Sequence, residues 1–185
     1  MTRAELAHIV RAVCSVLKIY EIWVVGSQSI LGSFSEEELP TLLTVSVEAD
    51  FFVPDWSQLD ENEIEASLGE VSKFAETHGY YADPVSKETV HAPAGWEDRV
   101  VPFYSELAKG CTAWCLEVHD LAISKLAAGR EKDREYVRIL LENNLAHESI
   151  LRQRLDAADN LSEPEKDAIG VRLNRIIQSI GGAPE

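Results

Sequence analysis

The chain has 185 residues, a net charge of −15 and a 45% share of hydrophobic residues. That length fits one domain with a helical appendage, and the composition permits a full core and excludes gross disorder. The charge disfavours a generally basic nucleic-acid surface, three cysteines do not make a disulfide framework, and no apolar run reaches bilayer length.

Thr2 and Glu5 have the spacing of a capping box. Leu6, Ile9, Val10, Val13, Val16 and Leu17 follow as one apolar stripe, so a helix is expected from Thr2 to Lys18, with Cys14 as a packed thiol. Its charged, amphipathic start lacks a signal-peptide core, and the expected compartment is the cytoplasm. Ile22 to Val25 reads as a short strand that runs into Gly26-Ser27 at the start of a short helix. Gly lets a backbone approach closely and Ser caps a turn. The same pair serves a phosphate or an ordinary strand-to-helix turn.

Residues Thr44 to Val53 read as one strand, rich in β-branched and aromatic side chains and stopped by Pro54. Alternation puts Val45, Val47, Ala49 and Phe51 on an apolar face. Glu48 and Asp50 share the opposite face, with Cα atoms roughly 7 Å apart. Carboxylates so placed repel unless a cation lies between them, and a divalent metal answers that need; the alternative is an exposed strand face in an acidic protein.

Ser57 to Thr77 is broadly helical with a break near Gly69. Strands are expected at Gly79 to Asp83, Glu88 to Ala92 and Arg99 to Tyr104. Cys111 and Cys115, with His119 nearby, read as core and not as zinc ligands, because a closed zinc site needs about four ligands. A helix follows from Glu117, ends near Gly129, and gives way to another from Arg130. Lys125, Arg130, Lys132, Arg134 and Arg138 make this the one dense basic stretch in an acidic chain. Two helices, Glu148 to Ala158 and Ser162 to Ile180, close the chain, the second opened by a Ser162/Glu165 capping box, and Gly181 to Glu185 is expected to fray.

Three features stand in order: a strand ending in Gly26-Ser27, a strand carrying Glu48-Ala49-Asp50, and a helix carrying Lys125. This order resembles the DNA-polymerase-β-type nucleotidyltransferase superfamily. Within it, Ser124-Lys125-Leu126-Ala127-Ala128-Gly129-Arg130-Glu131-Lys132-Asp133 is similar to the signature of AbiEii-like bacterial nucleotidyltransferases, many of them toxins of toxin–antitoxin pairs.

The resemblance implies an α/β (α+β) fold: a small mixed sheet flanked by helices, with residues 1–145 as the nucleotidyltransferase-like domain and 146–185 as a helical extension packed on it. It implies transfer of a nucleoside monophosphate from an NTP to an RNA end, a protein hydroxyl or a small molecule, with Mg2+ or Mn2+ as cofactor. Gly26 and Ser27 would hold the triphosphate, joined by Lys125, Arg130, Lys132 and Asp133. Glu48 and Asp50 would hold the metal. Glu48, Asp50, Asp83 and Lys125 would be the catalytic set, with Asp83 as the third acid. Glu48 stands where the superfamily usually has Asp. An antitoxin partner is implied for a toxin, and a catalytically inactive binding or regulatory module of the same fold is the competing reading.

Overall fold

The computed structural model describes residues 1–55 and 60–181. Residues 57–59 of the expected 57–77 helix and the tail beyond Gly181 lie outside the described residues. Contacts divide the chain into two units, Met1–Thr89 with Arg99–Glu117, and Val90–Asp98 with Val118–Glu185.

The first unit holds the sheet. Helix α1 (Arg3–Leu17) starts at Thr2, whose side chain and that of Glu5 form the reciprocal capping box. It ends at Lys18 in the left-handed region, and its buried stripe is Leu6, Ala7, Ile9, Val10, Val13 and Cys14. Burial of each large aliphatic side chain on that stripe contributes about 1.5–3 kcal/mol. Strand β1 (Glu21–Val24) leads through a 3-10 turn at Ser27–Ser29 into the four-residue helix α2 (Ile30–Ser33). Strand β2 (Glu48–Phe52) is followed by α3 (Glu61–Leu68) and α4 (Lys73–His78), separated where Gly69 caps α3, and by β3 (Tyr81–Pro84). Strands β4 (Val101–Phe103) and β5 (Thr112–Cys115) complete a mixed sheet of order β3-β2-β1-β5-β4. β1 is antiparallel to β2 and parallel to β5, β2 is parallel to β3, and β4 is antiparallel to β5. The expected mixed sheet flanked by helices is present.

Several local expectations are corrected. The strand at Thr44 to Val53 begins only at Glu48, and Val45 and Val47 are exposed at 62% and 49%. Just before Glu48, Gln28 Nε2 donates to the Ser46 carbonyl over 3.1 Å, and the Val47 carbonyl accepts the Tyr81 N–H at 3.0 Å. Glu88 to Ala92 is not a strand. Lys87–Thr89 is a 3-10 turn, and the Ala92 carbonyl accepts from Asn160 Nδ2 at 3.0 Å instead of joining a ladder. Thr112–Cys115 is a strand that its Cys-Thr-Ala-Trp-Cys composition hides. Cys14, expected as a thiol, is disulfide-bonded to Cys111 with Cα atoms 6.3 Å apart, and Cys115 is buried and free.

The second unit is helical. Helix α5 (Val118–Ala128) is buried along most of its length, and α6 (Glu131–Glu142), α7 (Glu148–Asp156) and α8 (Glu163–Gly181) pack on it. Contacts group α5 and α6 with α7 and α8 in this unit. Two polar anchors sit inside this bundle. Asp120 is fully buried and pairs with Arg154 at 3.1 Å. His119 Nε2 accepts the His147 backbone N–H at 3.0 Å. Asn160 joins residues 92–94 to the unit by donating to the Ala92 carbonyl and accepting the Ala94 N–H at 2.8 Å. Among the described residues, no helix is long and apolar enough to cross a membrane.

Candidate active site

In the first unit, β1 and β2 lie side by side, and the Val25 N–H donates to the Asp50 carbonyl at 2.9 Å. Gly26 follows with φ 62° and ψ −163°, a conformation that is essentially restricted to glycine. A side chain there would also meet Asp50: an added Cβ would lie 2.6 Å from its Cγ and 3.1 Å from its Cβ. The acidic strand therefore packs its second carboxylate directly onto the Gly-Ser turn. Ser29 Oγ donates to the Gly26 carbonyl at 2.8 Å and closes that turn.

Strand β2 alternates as expected over its observed length. Ala49 and Phe51 are buried, while Glu48 and Asp50 are half-buried on the other face. The parallel register with β3 pairs Asp50 with Asp83 and Glu48 with Tyr81. Asp83 thus sits beside the acid pair, on the adjacent strand and at the same level as Asp50. Burial pushes its carboxyl above the usual carboxylate range, and the charges of Glu48, Glu65 and Glu70 push it further. The Tyr81 hydroxyl donates to Glu48 Oε2 at 3.1 Å. Burial and that bond push the Tyr81 phenol up to about 12, so it remains a donor at neutral pH.

Gly26, Ser27, Glu48, Asp50 and Asp83 are thus brought together by three adjacent strands. Lys125, Arg130, Lys132 and Asp133 lie in the second unit. There Asp133 is 1% exposed, accepting from Lys125 Nζ at 3.3 Å and from Arg130 Nε at 2.6 Å. Burial alone would raise the Asp133 carboxyl. The Arg130 hydrogen bond and the Lys125 and Arg130 charges outweigh that and hold it below the usual range. Lys125 Nζ also lies 4.6 Å from the centre of the Tyr136 ring. Lys132 is exposed on α6.

Two participants escape the sequence reading. Tyr81 is visible only once the β2–β3 register is known, because only register sets it opposite Glu48. Arg172 of α8 donates to the Leu126 and Ala127 carbonyls at 2.6 and 3.0 Å, satisfying the end of α5. Gly129, with φ 66°, leaves room for it, since an added Cβ would lie 2.6 Å from the guanidinium carbon. No sequence periodicity connects positions 129 and 172.

Magnesium binds hard oxygens and commonly takes only one or two carboxylates, completing its shell with water and substrate phosphate. The crowded carboxylates of β2 and β3 are such oxygens, and the upward pressure on Asp83 is one a divalent cation would relieve. Among the described residues, no three His, Cys, Asp or Glu side chains are already grouped as a ready-made metal cage.

No curated protein and no solved structure matches the chain. Residues 4–174 match a family described as a nucleotidyltransferase of unknown function. The match spans both units and nearly the whole sequence. The chain belongs to this nucleotidyltransferase family, DUF6036.

Proposed function

We propose that the protein transfers a nucleoside monophosphate from an NTP to an acceptor hydroxyl, with pyrophosphate as the leaving group. The observation that carries this reading is the seating of the Asp50 carboxylate against Gly26, with Asp83 beside it in register. Glu48 and Asp50 would hold Mg2+ or Mn2+, and backbone N–H groups of the Gly26-Ser27 turn would bind triphosphate oxygens. The bound metal would neutralise charge on the phosphoryl oxygens. Asp83 accepts the acceptor's proton as its oxygen attacks the α-phosphorus. The bond from that phosphorus to the bridging oxygen breaks, and pyrophosphate departs with the electron pair. A carboxyl raised by burial and like charge is a stronger base than an ordinary aspartate. Tyr81 orients Glu48 through its hydroxyl.

Lys125, Arg130 and Lys132 enter the triphosphate site only through the resemblance. Asp133 orients Lys125 and Arg130 by direct ion pairs. The AbiEii-like assignment, the toxin–antitoxin role and its antitoxin partner rest on residues 124–133 alone. An inactive module of the same fold is favoured by one feature: the first acid is a glutamate already engaged by Tyr81. Calorimetry tests whether Asp50 belongs to the nucleotide site. Mg·NTP should bind the parent and bind Asp50→Asn at least about ten-fold more weakly, as expected for loss of a charged ligand. Equal binding by both proteins would remove Asp50 from the site.

A further inference from the structure

The second unit contains a groove of about 890 Å³ between α6 and α8. Arg130, Lys132, Arg134 and Arg138 line it from the α6 side, and Arg172 and Arg175 from α8. Only two acids, Glu131 and Glu135, share the lining. In a chain of net charge −15, this concentration is a local inversion of the field.

The six cations are not equivalent. Arg130 is held by Asp133, Arg138 by Glu135 and Glu142, and Arg172 by the carbonyls ending α5. Those contacts account for three of them as structural groups. Lys132, Arg134 and Arg175 make no ion pair among the described residues, and all three are exposed. They come from two helices that face each other across the groove. On α6 the free cations Lys132 and Arg134 lie about 3 Å apart in helix rise, and Arg175 adds a third from α8. The floor includes Ile176, and among the described residues no aromatic ring lines the groove to stack a base.

We propose that this groove binds a single nucleic-acid strand along its phosphodiester backbone. Charges strung along two helix faces suit a linear polyanion, whereas a compact triphosphate would engage one cluster. The absence of a stacking ring from the lining makes the contact electrostatic and indifferent to base. This assigns Lys132 to the strand and not to the NTP. Identifying the strand as the acceptor for nucleotidyl transfer rests on the function proposed above, but the binding does not.

The test is fluorescence anisotropy with labelled RNA and DNA strands of one sequence, about 20 nucleotides long, enough to cover one such groove. EDTA is present and NTP is omitted, so that failure here is distinguishable from failure of the transfer chemistry. The parent should bind, with affinity falling as salt rises. Three phosphate contacts on a single strand give a slope of about −2 in log K against log salt. Lys132→Gln/Arg134→Gln/Arg175→Gln should bind at least about ten-fold more weakly and lose most of that slope. Lys132→Arg/Arg134→Lys/Arg175→Lys should keep both, which separates charge from fold. A preference for RNA or for DNA then names the source of the strand. The proposal is overturned if the parent binds neither strand at low salt, or if the glutamine variant binds like the parent. It is also overturned if tripolyphosphate displaces the strand at equal molar concentration, since that makes the groove a compact-anion site.

Discussion

Asp50 packs against Gly26 so closely that its carboxylate occupies the space that any side chain at position 26 would need. Gly26→Ala therefore meets two penalties, a backbone conformation that non-glycine residues avoid and a collision with Asp50. The backbone strain is of order 1–3 kcal/mol, and the collision turns the carboxylate out of place. Gly79 is the matched control. Its φ is also positive, at 77°, but nothing lies within 4 Å of an added Cβ. Thermal melts should show a larger loss for Gly26→Ala than for Gly79→Ala, and only the first should lose Mg·NTP binding. Equal losses in both measurements would mean that Gly26 has no part in placing Asp50.

Asp83 supplies a prediction with a defined sign. Its folded carboxyl is raised above its unfolded value, so the ionised form destabilises the fold. The cost is absent when both states are protonated, below about pH 4, and appears as pH rises through the folded value. Without metal, Asp83→Asn should melt higher than the parent at pH 7, and the difference should close on acidification. A variant that melts lower than the parent at pH 7 would show that Asp83 is held by favourable contacts and not by crowding.

The Lys125–Asp133 pair has the opposite sign. The Asp133 carboxyl is depressed, so its stabilisation is complete above the ordinary aspartate range near pH 4 and is lost as pH falls through the folded value. Removing one partner of a buried pair leaves an uncompensated charge and costs roughly 3–5 kcal/mol. Asp133→Asn and Lys125→Ala should both unfold at clearly lower denaturant at neutral pH, and the deficit of Asp133→Asn should shrink under acid. Arg138→Ala, which breaks only surface pairs with Glu135 and Glu142, should cost under about 1 kcal/mol. Comparable losses at Asp133 and Arg138 would contradict the burial argument.

The Cys14–Cys111 bond closes a separation of 97 residues. A loop of about that length is expected to stabilise the fold by roughly 2–5 kcal/mol through the unfolded state. Denatured without reductant, the protein should titrate one thiol, that of Cys115, and three after reduction. Reduction should lower Tm, and Cys111→Ser should reproduce the lower value. Three titratable thiols before reduction would show that the bond does not form.

The sheet's acidic strand was legible because period-two alternation is local: Glu48 and Asp50 share a face whatever else the chain does. The capping box at Thr2/Glu5 was legible for the same reason, being complete within four residues, while at Ser162 only the half in which Glu165 accepts the Ser162 N–H is formed. Asp83 could be named as a third acid from strand order and the family resemblance, but its level beside Asp50 is a matter of register. The features not legible are those made by distant pairs. The disulfide joins positions far apart, Asn160 removes Ala92 from a strand, and Arg172 meets the end of α5 across the helical unit. The charge of Lys125 was legible, but its burial against Asp133 was not. Strand β5 was hidden because four residues, Thr112 to Cys115, carry too little periodicity to distinguish it from a buried turn.

The central claim is that Asp50 and Asp83 serve nucleotidyl transfer, and one assay tests it most directly. Each NTP, labelled at the α-phosphorus, is incubated with the parent, Mg2+ and total cellular RNA or lysate. Label should pass to an acceptor with at least one NTP, pyrophosphate should appear in equal amount, and EDTA should abolish both. In folded Asp50→Asn and Asp83→Asn the transfer rate should fall by about 100-fold or more, the scale of losing a charge-stabilising ligand or a general base. Transfer that persists at the parent rate in either variant, or no transfer with any NTP from a protein that binds Mg·NTP, would contradict the account.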